Sequence, residues 1–166
     1  MEGENLALTG TAEIPLGALH SLSTVSTPLK YVGVSRAYRE EAGARGRDTA
    51  GLYRVHEFTK VELFHFTSPE SAEEELEALR ELQSSIIRDL GIRAKMLNMP
   101  TTDLGAPAMK KYDCEAWMPG RGSWGELTSC SNCGDYQARR LGIKQKNKAG
   151  KLEYVHTLNG TAMAVP

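Results

Sequence analysis

Two β-rich stretches separated by a polar loop place the strongest constraint on how this chain can fold. Residues 31–40 (YVGVSRAYRE) and 52–66 (LYRVHEFTKVELFHF) are rich in Tyr, Val and Phe, residue types that favour strands. The loop between them, residues 40–51 (EEAGARGRDTAG), carries three glycines and closely spaced charges. We therefore expect an antiparallel hairpin with a long polar connection.

An amphipathic helix is predicted directly after this hairpin. Ser68 is a suitable N-cap, Pro69 takes the first helical position, and Gly91 supplies the C-terminal stop. The spacing of three and four residues typical of a helix is kept by Ala72, Leu76, Leu79, Leu82, Ile86 and Leu90.

The rest of the chain adds mostly strands. Residues 92–97, 110–118, 124–131 and 151–159 are predicted strands, and a short helix is expected over 133–142. Strands outnumber helices and no alternating βαβ pattern is present, so we predict an α+β domain with a mainly antiparallel sheet and flanking helices. The length of 166 residues, with 40% hydrophobic and 25% charged residues, is typical of one globular domain.

Composition excludes several classes of protein. The net charge of −1 does not indicate a strongly basic nucleic-acid binder, and no apolar run is long enough for a transmembrane helix. Three cysteines favour a reducing compartment, and the first residues, MEGENLALTG, do not resemble a signal peptide.

The second β-rich stretch has an unusual face. Alternate residues of a strand point to the same side, which groups Arg54, His56, Phe58, Lys60 and Glu62. Arg39 and Glu41 are expected to share a face of the preceding strand. One interpretation is a solvated face with cross-strand ion pairs. The other is the floor of a site, where Arg binds an anion, Phe stacks on a ring and Glu holds a cation; a nucleotide would fit it.

Other motifs are weaker. Cys130 and Cys133 form a CxxC, but a zinc site needs four ligands and a second pair is missing, so small buried cysteines are the preferred interpretation. The basic cluster within residues 139–151 is either a solvated helix end and loop or a phosphate contact. The chain lacks GxxxxGK[ST] and a GxGxxG after a strand, which excludes a P-loop and gives no support to a Rossmann site.

Four segments, in the same order, resemble class II seryl-tRNA synthetases. Residues 36–62 resemble motif 2 of that family, and residues 11–16 (TAEIPL) resemble its serine-binding segment. Residues 126–140 resemble the strand and helix around its ATP site, and residues 156–166 resemble the start of motif 3. The sequence SWGE at 123–126 is similar to that of the family's fungal mitochondrial members.

This resemblance implies the class II catalytic fold and ATP-dependent activation of L-serine to seryl-adenylate, followed by transfer to tRNA(Ser). ATP and Mg²⁺ would be required. In the full-length family the partners are L-serine, ATP, tRNA(Ser) and a second subunit of a homodimer, with no membrane, in the mitochondrial matrix or the cytoplasm.

The site residues that the resemblance implies form two groups. Serine would be bound by Thr11, Ala12, Glu13, Arg39, Glu62, Asn159 and Thr161. ATP would be bound by Arg39, Glu40, Glu41, Val55, Phe58, Glu126, Leu127, Thr128 and Ser129. Arg39 and Glu126 would be catalytic, and Glu126 and Ser129 would hold Mg²⁺. Because Glu126 and Ser129 are three residues apart, they cannot share a face of a regular strand, so we predict a bulge or a strand end between them.

The chain also departs from the family. Residues 1–166 are expected to be a partial catalytic domain, without the N-terminal coiled-coil arm, motif 1 and the end of motif 3. Three functions stay open: an incomplete and weakly active serine–tRNA ligase, a stand-alone homologue that loads an amino acid onto a carrier protein, and a non-catalytic paralogue acting as a binding module. We also expect exposed sheet edges, and hence poor solubility or oligomers.

Overall fold

A computed structural model of the chain describes residues 3, 5–41 and 53–166. Within these residues the helices are α1 (Glu13–Ala18), α2 (Ala72–Asp89) and α3 (Tyr136–Leu141). The strands are β1 (Thr24–Val25), β2 (Leu29–Tyr38), β3 (Glu57–Thr67), β4 (Ala94–Asn98), β5 (Lys110–Met118), β6 (Ser123–Asn132), β7 (Lys144–Lys146), β8 (Leu152–Tyr154) and β9 (His156–Val165).

The main sheet has six strands in the order β2-β3-β9-β6-β5-β4, and every neighbouring pair is antiparallel. The predicted α+β class with an antiparallel sheet is therefore confirmed. A small second sheet was not predicted. In it β1 pairs in parallel with β7, and β7 pairs with β8.

The predicted hairpin forms, but its strands begin and end elsewhere. β2 ends at Tyr38, so Arg39 and Glu41 do not share a strand face, and Glu41 adopts a left-handed φ of 55°. β3 begins at Glu57, so Arg54 and His56 precede it and only the later residues of the predicted face are in the strand. The loop expected at 40–51 lies, from residue 42 on, outside the described residues, as does residue 52.

The predicted helix after the hairpin is present. The Ser68 hydroxyl accepts a hydrogen bond from the Ser71 amide, Pro69 opens a short 3₁₀ turn, and α2 follows. The predicted apolar stripe is wrong at Leu82 and Leu90, which are exposed, whereas Ile86 packs against the core as predicted. The side of α2 that faces the sheet consists of Ala72, Leu76, Leu79, Gln83 and Ile87.

Two apolar clusters lie on opposite faces of the sheet. Leu63 of β3 packs with α2, Cys130 of β6 and Leu158 of β9. Phe64, the next residue of β3, points to the other side and packs near α1 and α3. Since alternate residues share a face, the even-numbered residues of β3 continue from this second cluster toward the start of the strand.

The last predicted strand, 151–159, is in fact two. Val155 is buried at the break between β8, which belongs to the small sheet, and β9, which lies between β3 and β6 in the main sheet. β5 matches its predicted range, and β4, β6 and α3 overlap theirs. The short helix α1 was not predicted.

The outer strand β2 exposes apolar side chains, with Val32 at 66% and Val34 at 70% of full exposure. This agrees with the expected exposed edge; the solubility of the chain stays a prediction. Among the described residues no helix is both long and apolar enough to span a membrane.

Candidate active site

A cavity of about 270 Å³ opens where β6 and β9 separate. The two strands pair at Cys130 and Gly160, and no later pair follows in the direction of Ser129 and Thr161. β3 forms the floor of the cavity. Most of the predicted site residues line it: Arg39, Glu41, Val55, Phe58, Glu126, Leu127, Thr128, Ser129 and Thr161.

A bulge in β6 brings the predicted metal-binding residues to this cavity. Thr128 pairs with Cys114 and Glu126 pairs with Glu115, which leaves Leu127 without a partner in the ladder. The extra residue restores a common direction to Glu126 and Ser129, so both line the cavity. The predicted irregularity between them is confirmed.

A buried ion pair adjoins the cavity through Lys60, which lines it; the predicted site residues Glu62 and Thr11 contact Lys60 but are not among the lining residues. Lys60 Nζ is 2.5 Å from Glu62 Oε2, and the two side chains are 11% and 2% exposed. The Thr11 hydroxyl donates to Glu62 Oε2 at 3.1 Å and lies 3.0 Å from Lys60 Nζ. Burial raises the pKa of Glu62 above its usual value, and the charge of Lys60 opposes that rise without cancelling it.

Backbone contacts hold Thr11 in this position. The Tyr38 amide at the end of β2 donates to the Thr9 carbonyl at 2.9 Å. The Thr9 hydroxyl in turn donates to the Thr11 carbonyl at 2.8 Å. The segment before α1 is therefore fixed to the end of β2, directly above Glu62.

Cations lie at the outer end of the cavity. The guanidinium carbon of Arg39 is 5.2 Å from the centre of the Phe58 ring, and Arg39 Nε donates to the Gly10 carbonyl at 3.3 Å. Arg54 Nε donates to Glu41 at 2.6 Å. The space beside Phe58 thus combines an aromatic face with a guanidinium that can bind a phosphate or carboxylate.

The predicted site left out several residues that line the cavity, among them Lys60 and Tyr53. The sequence places Lys60 on the charged face but assigns it no role; its position between Phe58 and Glu62 on that face was the available signal. The Tyr53 hydroxyl donates to the Glu126 carbonyl at 2.7 Å. It connects the chain before β3 to β6, a contact that no local pattern indicates.

Some predicted site residues lie away from the cavity lining. Glu13 Oε1 accepts hydrogen bonds from Asn159 at 2.9 Å and from Gln137 at 2.8 Å. Ala12 is buried and Glu40 is exposed, and neither lines the cavity. Glu13 and Asn159 therefore join α1 to β9 in the free protein.

The CxxC cysteines are buried and free, as preferred from the sequence. Burial raises the pKa of both the Cys130 and the Cys133 thiol to about 12, which makes them poor nucleophiles and poor metal ligands at neutral pH. In the part of the chain that the structure describes, no three His, Cys, Asp or Glu side chains group as a metal site.

The family model for the class II tRNA synthetase core domain (G, H, P, S and T) matches residues 1–166. The chain belongs to this family. Within it, the chain is 59% identical over 172 residues to the mitochondrial serine–tRNA ligase of Saccharomyces cerevisiae, covering 100% of the chain and 39% of that protein. It is 55% identical over 161 residues to the mitochondrial serine–tRNA ligase of Schizosaccharomyces pombe, covering 96% of the chain and 33% of that protein.

Solved structures give the same result for this class II domain. The seryl-tRNA synthetase of Pyrococcus horikoshii complexed with ATP matches with a TM-score of 0.93 and 46% identity, over 99% of this chain and 38% of that one. The cytoplasmic serine–tRNA ligase of Naegleria fowleri in complex with AMP matches with a TM-score of 0.90 and 39% identity, over 99% and 40%. The resemblance to class II seryl-tRNA synthetases is confirmed, and the chain spans 33% to 40% of the length of these relatives.

Proposed function

We propose that this class II domain activates L-serine with ATP. The observation that carries the proposal is one cavity lined by Arg39, Phe58 and Lys60, with Arg39 over the Phe58 ring and Lys60 paired with the buried Glu62. A carboxylate oxygen of serine attacks the α-phosphorus of ATP, a new O–P bond forms, and the bond to pyrophosphate breaks. Seryl-adenylate and pyrophosphate are the products.

Each residue would have a separate role that depends on its position in the site. Phe58 stacks on the adenine ring, and Arg39 neutralises charge shared by the serine carboxylate and the α-phosphate. Glu62 holds the serine ammonium group. This reaction needs orientation and charge neutralisation rather than a covalent nucleophile, and buried cysteines are consistent with that.

Selectivity for serine over alanine would come from the polar groups of Thr161, Thr11 and Glu62. Thr161 lines the cavity, and Thr11 bonds to Glu62. If these groups bond the serine hydroxyl, alanine leaves them unpaired and is rejected.

Magnesium would enter with ATP as part of the substrate. Glu126 and Ser129 offer a carboxylate and a hydroxyl oxygen at the cavity wall, the donor type that Mg²⁺ prefers when phosphates and water supply its other ligands. Bound there, the ion would neutralise charge on the phosphates.

We further propose that the protein transfers serine to tRNA(Ser), acts as a homodimer and works in the mitochondrion. Its relatives named serine–tRNA ligase support the first point, and the two yeast relatives named as mitochondrial support the last. The homodimer rests on the family resemblance alone.

The test is serine-dependent exchange of pyrophosphate into ATP, with alanine in place of serine as the substrate control. We expect exchange with serine only, and its loss in Glu62→Gln. Glu57→Gln is the matched control, because Glu57 is an exposed carboxylate on the same strand and its pairing with Arg36 lies outside the cavity. A folded sample that exchanges equally well with alanine, or an E62Q variant as active as E57Q, contradicts the proposal.

A further inference from the structure

A buried glutamine lies directly behind the point where β6 and β9 separate. Gln83 is 0% exposed and occupies the sheet-facing side of α2 among apolar neighbours. Its Nε2 donates to the Ser129 carbonyl and to the Thr161 carbonyl, both at 2.8 Å. One side-chain amide thus bridges two strands that no longer pair with each other.

These two carbonyls are the first beyond the ladder. Cys130 and Gly160 are its last partners, and Ser129 and Thr161 follow one residue later on the two strands. Buried carbonyls without donors are costly, and here the amide of Gln83 supplies one hydrogen to each. The two acceptors also fix the orientation of the amide, since the flipped amide would place its oxygen against both carbonyl oxygens.

We call the place where β6 and β9 separate, beyond Cys130 and Gly160, the fork. It leaves no room for a larger side chain at Gly160. A Cβ added to Gly160 would lie 3.0 Å from the Cys130 Cβ and 3.3 Å from Gln83 Nε2. The amide is therefore packed into the angle between the strands. Its Oε1 has no hydrogen-bond partner within the described part of the chain, so the side chain keeps an unsatisfied buried oxygen while making these two bonds.

We infer that Gln83 is a positioning residue that holds the β6–β9 fork at the width the substrate cavity needs. It contacts no substrate. It fixes the backbone of Ser129 on the ATP wall and of Thr161 on the serine wall, from the opposite face of the sheet. The effect on substrate binding rests on the proposed function, whereas the bridging of β6 and β9 by Gln83 rests on geometry alone.

The test compares Gln83→Met with Ile87→Val in the whole chain. Methionine has nearly the volume of glutamine but no donors, and Ile87 is a buried residue one turn further along the same face of α2. Amide hydrogen exchange in the ligand-free protein reports on the fork. We expect exchange at residues 129–130 and 160–161 to rise about tenfold in Q83M relative to I87V.

Binding of 5′-O-[N-(L-seryl)sulfamoyl]adenosine, a stable mimic of seryl-adenylate, provides the second measurement. We expect its Kd to rise about tenfold in Q83M and to stay near the wild-type value in I87V. If Q83M does not fold, Gln83→Asn replaces it, because the shorter side chain keeps an amide but withdraws it from the fork.

The outcomes separate the two claims. Unchanged exchange at the fork, or faster exchange with an unchanged Kd, overturns the positioning role. If the wild-type chain does not bind the mimic, the proposed function fails, and the exchange data still decide whether Gln83 holds the fork.

Discussion

Replacing Lys60 with methionine should destabilise the fold in a strongly pH-dependent way. The change removes the partner of Glu62, whose side chain is 2% exposed and 2.5 Å from Lys60 Nζ in the wild-type chain. Leaving one member of a buried ion pair alone costs about 3–5 kcal/mol of unfolding free energy. The remaining Thr11 hydroxyl offers one hydrogen bond to Glu62, so we expect the lower end, about 3 kcal/mol at neutral pH.

The sign of the pH dependence follows from the same burial. Burial already raises the pKa of Glu62, and without Lys60 the rise is larger. A carboxyl whose pKa is higher in the folded than in the unfolded state lowers the free energy of unfolding when the pH is above its folded pKa. This loss of stability disappears when the pH is below its unfolded pKa. The loss in Lys60→Met should therefore shrink as pH falls between these two values, by up to about 1.4 kcal/mol per pH unit.

Urea denaturation of four proteins tests this prediction: wild type, K60M, Glu62→Gln and the double variant. We compare neutral pH with a pH just above the usual carboxyl value of 4.5, and expect K60M to lose less stability at the lower pH and the double variant to lie within about 1–2 kcal/mol of wild type. A loss in K60M that is the same at both pH values, and that E62Q does not relieve, would refute the reasoning.

Four further predictions follow from the site and its supports. Phe58→Ala should weaken AMP binding about tenfold, since stacking on a base is worth about 1–3 kcal/mol, and calorimetry measures this; unchanged affinity would exclude Phe58 from the adenine site. Serine affinity should decline with falling pH already above the usual carboxyl value of 4.5, because the raised pKa of Glu62 lets it lose its charge earlier; a titration monitored by calorimetry checks this. Cys130 and Cys133, with pKa values of about 12, should resist iodoacetamide in the native protein and react after unfolding, as mass spectrometry would detect. Gly160→Ala should cost about 1–3 kcal/mol through its contact with Cys130, and a thermal melt equal to wild type would count against the packing described.

Local patterns in the sequence predicted the elements whose ends are set locally. Ser68 and Pro69 begin the 3₁₀ turn that leads into α2, and Gly91 follows the end of α2 with a left-handed φ. Alternation places Phe58 and Glu62 on one face of β3. These features depend on residues close together in the chain, which is why sequence alone indicates them.

Features set by distant contacts were not predictable in this way. β2 ends at Tyr38, and β8 separates from β9 because the two strands join different sheets. A glutamine in the core face of α2 looks polar in the sequence, and only the carbonyls of two remote strands explain it. The assignment of ligands to single site residues came from the family resemblance and remains a prediction.

The position of β9 has a consequence for how the chain acquires its structure. It follows the other described strands in the sequence but lies between β3 and β6 in the sheet. The hairpin β2–β3 and the meander β4–β5–β6 therefore have no ladder between them until β9 inserts, and its contacts with β3 span roughly a hundred residues. Such long-range closure slows folding and leaves two open edges exposed during synthesis. The cavity walls come from both halves, so substrates cannot guide the early steps and can stabilise only the finished sheet.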